Sequence, residues 1–195
     1  MLVKAGRIAE DAFTPVADGE DLPDAPVIVS LKRFLAEHDR ILARRQPLGV
    51  RLESGESPQE LQPYLSELAV VVLHIPAFRD GRAFSAARLL RTRLGYRNEI
   101  RLTGHFLLDQ IAFYTRVGVD AFDVAPNISV ADIQTALHEI SDVYQPSVDG
   151  RATIRDLRTR RTRVPPSCIF PAENPSNSGS RFQNEASRRR ACARV

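Results

Sequence analysis

The side chains best suited to chemistry are concentrated in one stretch, FRDGRAFSAARLLR, which follows an apolar segment of the chain. Asp80 can exchange a proton, and Arg82 can hold an anion through its planar guanidinium group. Ser85, Arg88 and Arg91 follow, and the predicted start of a helix nearby offers free backbone N–H groups to a negative charge. The stretch therefore predicts an anion- or partner-binding site, with Asp80 and Arg82 as the catalytic candidates.

Two other interpretations of this stretch stay open. Asp80 could cap the loop and Gly81 could supply a positive φ, which would make the segment purely structural. The arginines could equally form a solvated face, or a surface on which a protein partner docks. If the stretch does bind an anion, that anion would be small, such as sulfite, sulfate or phosphate, because arginine forks match the oxygens of such groups.

A second set of polar residues extends the predicted binding site, namely Arg101, Asp109, Gln110 and Arg116. His74 and His105 are predicted near the carboxyl ends of adjacent strands, where together with Asp80 they could ligate a metal ion. Their spacing matches no metal-binding motif, so we predict no metal site. Neither GxGxxG nor GxxxxGK[ST] occurs, and we predict no cofactor.

These residues are positioned by an alternation of strands and helices. Apolar runs predict strands at 27–31, 48–52, 68–75, 99–103 and 121–124. Helical periodicity and capping residues predict helices at 34–45, 57–66, 84–94, 107–117 and 129–144. The alternation predicts an α/β fold, in which βαβ units form a parallel sheet with helices on both faces. Part of a β/α barrel is the alternative, because it uses the same local unit.

Composition divides the chain into three parts. Residues 1–26 predict an irregular lead-in with one short hairpin, and residues 27–157 predict a single α/β domain. Residues 158–195 are rich in Arg, Ser and Pro and lack an apolar period, which predicts a disordered basic tail. Translation out of frame would give a similar composition.

The net charge of +3 hides an asymmetry between these parts. Residues 151–195 carry 11 arginines and three acids, a net +8, whereas the first 150 residues carry 16 basic and 21 acidic side chains, a net −5. A nucleic-acid-binding protein needs a basic face on its folded domain, so we predict no nucleic-acid partner. Both cysteines, Cys168 and Cys192, lie in the predicted tail, which excludes a cysteine nucleophile or cysteine-ligated metal from the predicted domain.

The location of the protein is predicted from what the sequence does not contain. No apolar run approaches the roughly 18 residues of a membrane span. The first ten residues lack the features of a secretory signal. We therefore predict a cytoplasmic protein with no membrane partner.

The same residues carry a family resemblance. The stretch from Phe78 to Arg91 resembles the pattern FxDGRxxSxAxLLR of the bacterial DUF934 family. Further blocks with family spacing are LGVRL at 48–52, EIR at 99–101 with Gly104 and Asp109-Gln110, and Arg116 with Gly118 and DAF at 120–122. The resemblance covers about residues 27–145. The chain departs from the family pattern at Leu102, His105, Val117 and Val119, where the family has alanine, an acid, cysteine and an aromatic residue.

The resemblance implies a function that the residues alone do not. The family is described as probable oxidoreductases of assimilatory sulfite reduction, because its members occur beside the haemoprotein subunit of sulfite reductase. It thus implies an accessory or oxidoreductase-linked protein that acts with that subunit. The residues show no redox centre, which favours an accessory role. The alternatives are a small anion-binding α/β enzyme and a pure protein-interaction module.

Overall fold

The structure is a computed structural model and describes residues 1–162. It contains strands β1 (Leu2–Lys4), β2 (Arg7–Ile8), β3 (Thr14–Pro15), β4 (Val27–Ser30), β5 (Leu48–Leu52), β6 (Leu68–Ile75), β7 (Glu99–Gly104) and β8 (Ala121–Asp123). The helices are α1 (Leu31–Leu42), α2 (Arg82–Thr92), α3 (Ile111–Arg116), α4 (Val130–His138) and α5 (Ile154–Thr162), and 3₁₀ helices lie at Pro58–Tyr64 and Leu108–Gln110.

All eight strands belong to one sheet, in the order β2-β1-β8-β7-β6-β5-β4-β3. Strands β3 to β8 run parallel to their neighbours in chain order, and β1 pairs antiparallel with both β8 and β2. When consecutive parallel strands are neighbours, right-handed crossovers place every connecting helix on the same face. The predicted parallel α/β sheet is therefore confirmed in its partial-barrel form, as a curled half-barrel.

The core shows that the helices occupy one face and not both, which corrects the first of the two predicted arrangements. One cluster joins the buried faces of α1 to α4 to alternate residues of the strands. It includes Phe34, Leu90, Ile111 and Ile133 from the helices, and Val29, Val50, Val71 and Ile100 from the strands. Their burial against one another is the main stabilising term of this layer.

The other face of the sheet is covered by the N-terminal segment. Phe13 packs against Ile28, Val70 and Val72, which form a second, smaller cluster. The lead-in, predicted to be irregular with one short hairpin, thus supplies three short strands, of which β1 and β2 form an antiparallel hairpin, and it covers the helix-free face. Strands of two or three residues are too short to show a periodic pattern in sequence.

The predicted helices are found with shifted bounds, and the largest departures lie after the start of α4. The last predicted helix was expected to reach residue 144, but α4 ends at His138. Beyond it the carbonyls of Ile140 and Ser141 accept hydrogen bonds from Arg151 instead of from helical N–H groups. The unpredicted α5 begins after Thr153, whose hydroxyl accepts from the N–H of Asp156 at 3.3 Å in a capping arrangement.

The predicted tail lies for the most part outside the described residues. Helix α5, which spans Ile154–Thr162, extends past residue 158, where the tail was predicted to begin. Within the described residues, no helix is both long enough and apolar enough to cross a membrane.

Candidate functional site

We call residues 78–91 the Asp80 stretch. It begins at the carboxyl edge of the sheet, in the loop between the end of β6 and the start of α2, as the sequence predicts, and it continues into α2. Neighbouring loops meet closely here, because the N–H of His105 donates to the carbonyl of Ile75 at 2.8 Å. Gly104 adopts a φ of +98°, and a Cβ at this position would lie 2.2 Å from the Ile75 oxygen. This close approach requires a glycine at the end of β7.

Asp80 and Arg82 form a two-pronged ion pair at this edge. The Nε of Arg82 donates to Oδ1 of Asp80 at 2.9 Å, and Nη2 donates to Oδ2 at 2.7 Å. The backbone N–H of Arg82 and the hydroxyl of Ser54 also donate to the carboxylate. The side chain of Asp80 is 11% exposed, whereas that of Arg82 is 65% exposed.

This pairing determines the protonation of both groups. Hydrogen bonds from the Arg82 side chain and from Ser54 hold the pKa of Asp80 well below its usual range. The same carboxylate raises the pKa of Arg82 above its ordinary value. Asp80 is therefore a carboxylate throughout the physiological range and a very weak base. Its contacts suit it to positioning Arg82 and the first turn of α2, and not to the proton transfer predicted for it.

Beside the ion pair lies a cleft of about 230 Å³ between β5, β6 and α2. Its floor is apolar, with Leu52, Leu73 and Leu89 among its residues. Its polar lining includes Glu53, Glu56, His74 and the predicted Ser85. Nδ1 of His74 lies 3.4 Å from the Thr103 hydroxyl, and Nε2 lies 3.9 Å from a Glu53 oxygen.

The acidic residues of this cleft were missed in the sequence. Glu53, Ser54 and Glu56 follow β5 directly, so the rule that sites lie beyond the carboxyl ends of parallel strands could have found them. Glu56 adds negative charge to the lining beside Arg82, whereas the Glu53 carboxylate is bound by Arg51. The cleft is thus less suited to a small anion than the arginines of the sequence predict.

The three arginines predicted to face one ligand are not brought together. Arg88 is exposed on the flank of α2. Arg91 lies in the last turn, where its side chain is 8% exposed. Its guanidinium donates to the carbonyls of Gly118, Tyr96 and Asn98 and to the carboxylate of Asp120. The prediction that Arg91 shares the site of Arg82 is wrong, because α2 separates the two residues by its length.

Arg101 and Arg116 are also committed to structural contacts. Arg101 is 3% exposed and lies on the helix-free face, where Nη1 contacts both carboxylate oxygens of Asp11 at 2.9 Å. Arg116 donates to Asp149 at 3.1 Å and to the carbonyl of Gln145 at 2.6 Å, which fixes the loop after α4. Neither residue faces the Asp80 stretch, so the predicted binding role of each is corrected to a structural one.

Gln110 joins two loops at the carboxyl edge, and Asp109 beside it is exposed. The Gln110 side chain accepts from the N–H of Leu107 at 3.0 Å and donates to the carbonyl of Phe78 at 3.2 Å. Phe78 and Leu107 are 47% and 46% exposed, and the Arg79 guanidinium lies 5.5 Å from the centre of the Phe78 ring. We call Phe78, Arg79, Leu107 and Gln110 the edge surface.

His74, His105 and Asp80 do not form a metal site. Among the residues that the structure describes, no group of three or more His, Cys, Asp and Glu side chains is arranged to hold a metal ion.

Comparison with known families identifies the chain. The sequence profile of the DUF934 family, described as bacterial proteins of unknown function, matches residues 49–155, which is more than half of the chain. The matched region runs from β5 to the start of α5 and contains the Asp80 stretch, the cleft and the edge surface. The chain therefore belongs to the DUF934 family. No curated protein matches it.

Proposed function

We propose that this member of the DUF934 family is an accessory protein of assimilatory sulfite reduction, which acts by docking on the haemoprotein subunit of sulfite reductase through the edge surface. The choice of partner comes from the family resemblance. The choice of surface comes from the contacts at the carboxyl edge. The proposed compartment is the cytoplasm, and whether a reaction takes place in the complex depends on the reductase.

The observation that carries the proposal is the pair of half-exposed apolar side chains on the edge surface. Phe78 and Leu107 come from different loops, and Gln110 holds those loops together through two hydrogen bonds. Aromatic and arginine side chains on a fixed backbone are the residues that dominate protein–protein interfaces. Arg79 against the Phe78 ring completes such a combination.

The anion-binding enzyme is the weaker alternative for the same edge. The Arg82 guanidinium is already bound by Asp80 in a two-pronged pair, and Glu53 and Glu56 line the adjoining cleft. A sulfite or sulfate ion would have to displace the carboxylate of Asp80 and approach that of Glu56, since Glu53 is bound by Arg51. Docking of a larger partner requires no such rearrangement.

A growth experiment tests the proposed pathway. A strain lacking the gene is grown on sulfate, sulfite or sulfide as the sole sulfur source. The proposal predicts growth on sulfide alone, because sulfide is the product of the missing step. Normal growth on sulfate and sulfite would contradict a role in sulfite reduction.

Complementation of the same strain tests the proposed surface. The double variant with Phe78→Ser and Leu107→Ser is expected to fail to restore growth on sulfite, since it removes the apolar contacts of the edge surface. Phe113→Ser is the matched control, because Phe113 is also 47% exposed and lines a different cleft, together with Tyr144. Full complementation by the double variant would overturn the docking proposal.

A further inference from the structure

The amino edge of the sheet, opposite the candidate site, holds a cavity of about 760 Å³. It lies between the β1–β2 turn, the carboxyl ends of α2 and α3, and one side of α4. Its walls are mainly apolar and include Val119, Phe122, Ile133 and Leu137. Both the volume and the lining are those of a site for a small organic molecule.

The acids that line this cavity are already paired with arginines. Asp120 is bound by Arg91, and its carboxylate also accepts the N–H of Ile100 at 2.8 Å. Asp149 is bound by Arg116 at 3.1 Å. Neither carboxylate is therefore available to attract a cation.

Three helices end at this edge, and the partial negative charge of a helix end would repel an anion. Each of the three carries a basic residue in its last turn: Arg91 in α2, Arg116 in α3 and His138 in α4. Nδ1 of His138 donates to the carbonyl of Gln134 at 2.7 Å. The helix ends are thus largely compensated by their own side chains.

Lys4 also lines the cavity but is bound by Glu99, so Arg97 is the cation that remains. It is exposed, lines the cavity, and within the part of the chain that the structure describes it has no ion pair or side-chain hydrogen bond. An apolar cavity whose acids are paired and whose rim carries one uncommitted guanidinium favours a ligand with an apolar body and one anionic group.

We propose that this cavity binds an organic anion, such as an aromatic sulfonate or carboxylate, with its apolar body against Phe122 and Ile133 and its charge on Arg97. The site is separate from the edge surface and does not depend on the proposed role in sulfite reduction.

A pair of fluorescent probes tests both halves of the proposal on the full chain. Anilinonaphthalene sulfonate has an apolar body and one negative charge, and phenylnaphthylamine is its uncharged counterpart. Arg97→Ala is expected to weaken binding of the sulfonate about tenfold, the effect of losing a hydrogen bond to a charged group. Its affinity for the uncharged probe is expected to be unchanged. Equal binding of the sulfonate by Arg97→Ala and the natural chain would overturn the proposal.

Three further variants locate the bound probe. Arg93→Ala removes an exposed arginine at the end of α2 that does not line the cavity, and it is expected to bind both probes normally. His138→Trp places a large ring at an exposed position that lines this cavity and not the cleft of Tyr144, and it is expected to abolish binding of both probes. Tyr144→Ser removes the most exposed aromatic ring of that different cleft. Loss of binding in Tyr144→Ser, with normal binding in His138→Trp, would place the probe elsewhere and contradict the proposal.

Discussion

Arg82 and Arg91 lie at opposite ends of the same helix, and they differ in exposure and in bonding. Arg82 begins α2 at the carboxyl edge, is largely exposed, and is bound by the single carboxylate of Asp80. Arg91 lies at the amino edge, is nearly buried, and donates to three backbone carbonyls as well as to Asp120. Arg91 thus ties the α2–β7 loop to the α3–β8 loop, while Arg82 stays at the surface. The number and kind of acceptors, and not the residue type, separate a structural arginine from a surface one.

The largest expected effect follows from removing Arg91. Arg91→Ala leaves the carbonyls of Gly118, Tyr96 and Asn98 without their donor, and we expect it to lower the free energy of unfolding by about 3 kcal/mol. Urea unfolding measures the change. Arg88→Ala, three residues away on the exposed flank, should stay within about 0.5 kcal/mol of the natural chain. Equal losses in free energy of unfolding for the two variants would contradict the distinction between a structural and a surface arginine.

A smaller loss of stability is expected from replacing Arg101, which lies on the helix-free face of the sheet. Arg101→Ala breaks the contact with Asp11 that holds the N-terminal segment over the sheet, and a second contact with Glu99 of the same strand. Because Asp11 is itself partly exposed, we expect a loss of about 2 kcal/mol. Hydrogen exchange should show faster exchange at residues 9–15. Unchanged exchange there would show that Phe13 alone fixes the segment.

Alkaline pH is expected to weaken the packing of Tyr114 against Phe84. Tyr114 stacks on Phe84 with ring centroids 3.7 Å apart, and burial raises the pKa of Tyr114 to about 12. A group whose pKa is raised on folding stabilises the fold fully below its unfolded value, near pH 10, and loses that stabilisation as the pH rises toward 12. We expect a loss of about 1 kcal/mol over this range, screening by solvent included.

Tyr114→Phe is expected to make the stability curve flatter between pH 10 and pH 12, because the ionisable hydroxyl is removed and the stack is kept. Thermal unfolding at several pH values measures the slope. Tyr144→Phe, at a position that is 82% exposed, should leave the slope as it is. A slope that Tyr114→Phe does not alter would assign the alkaline loss to other groups.

The smallest expected effect on stability is that of Arg82→Ala. Among residues 1–162 its side chain bonds only to Asp80, so the melting temperature should stay within the error of measurement. We expect the variant nevertheless to impair complementation of the deletion strain, because Arg82 lies beside the edge surface. Unfolding of the variant would show that Arg82 is as structural as Arg91.

Sequence patterns predicted β4 to β8 and α1 to α4 because each of these elements carries its own local signal. β6, for example, is an apolar run, and α4 has Ser129 as its cap. The first three strands could not be found in this way. Their register is fixed by distant residues, such as Phe122 opposite Val3, and by the packing of Phe13 on Val70.

The sequence predicted where the candidate site lies, but not which hydrogen bonds and ion pairs its side chains form. The Asp80 stretch follows β6 as expected for a parallel sheet, and this follows from chain order alone. Which arginine meets which acceptor depends on loops that come together from distant parts of the chain. Asp120, which binds Arg91, is one example, and Gln110, which bonds to Phe78, is another.

Direct binding to sulfite reductase is the measurement that bears most closely on the proposed function. Isothermal titration of the purified haemoprotein subunit with the full chain should show saturable binding. The variant with Phe78→Ser and Leu107→Ser should bind at least tenfold more weakly, as expected for the loss of central interface residues. Phe113→Ser should bind like the natural chain. Absence of binding by the natural chain, or equal binding by the double variant, would contradict the docking role of the edge surface.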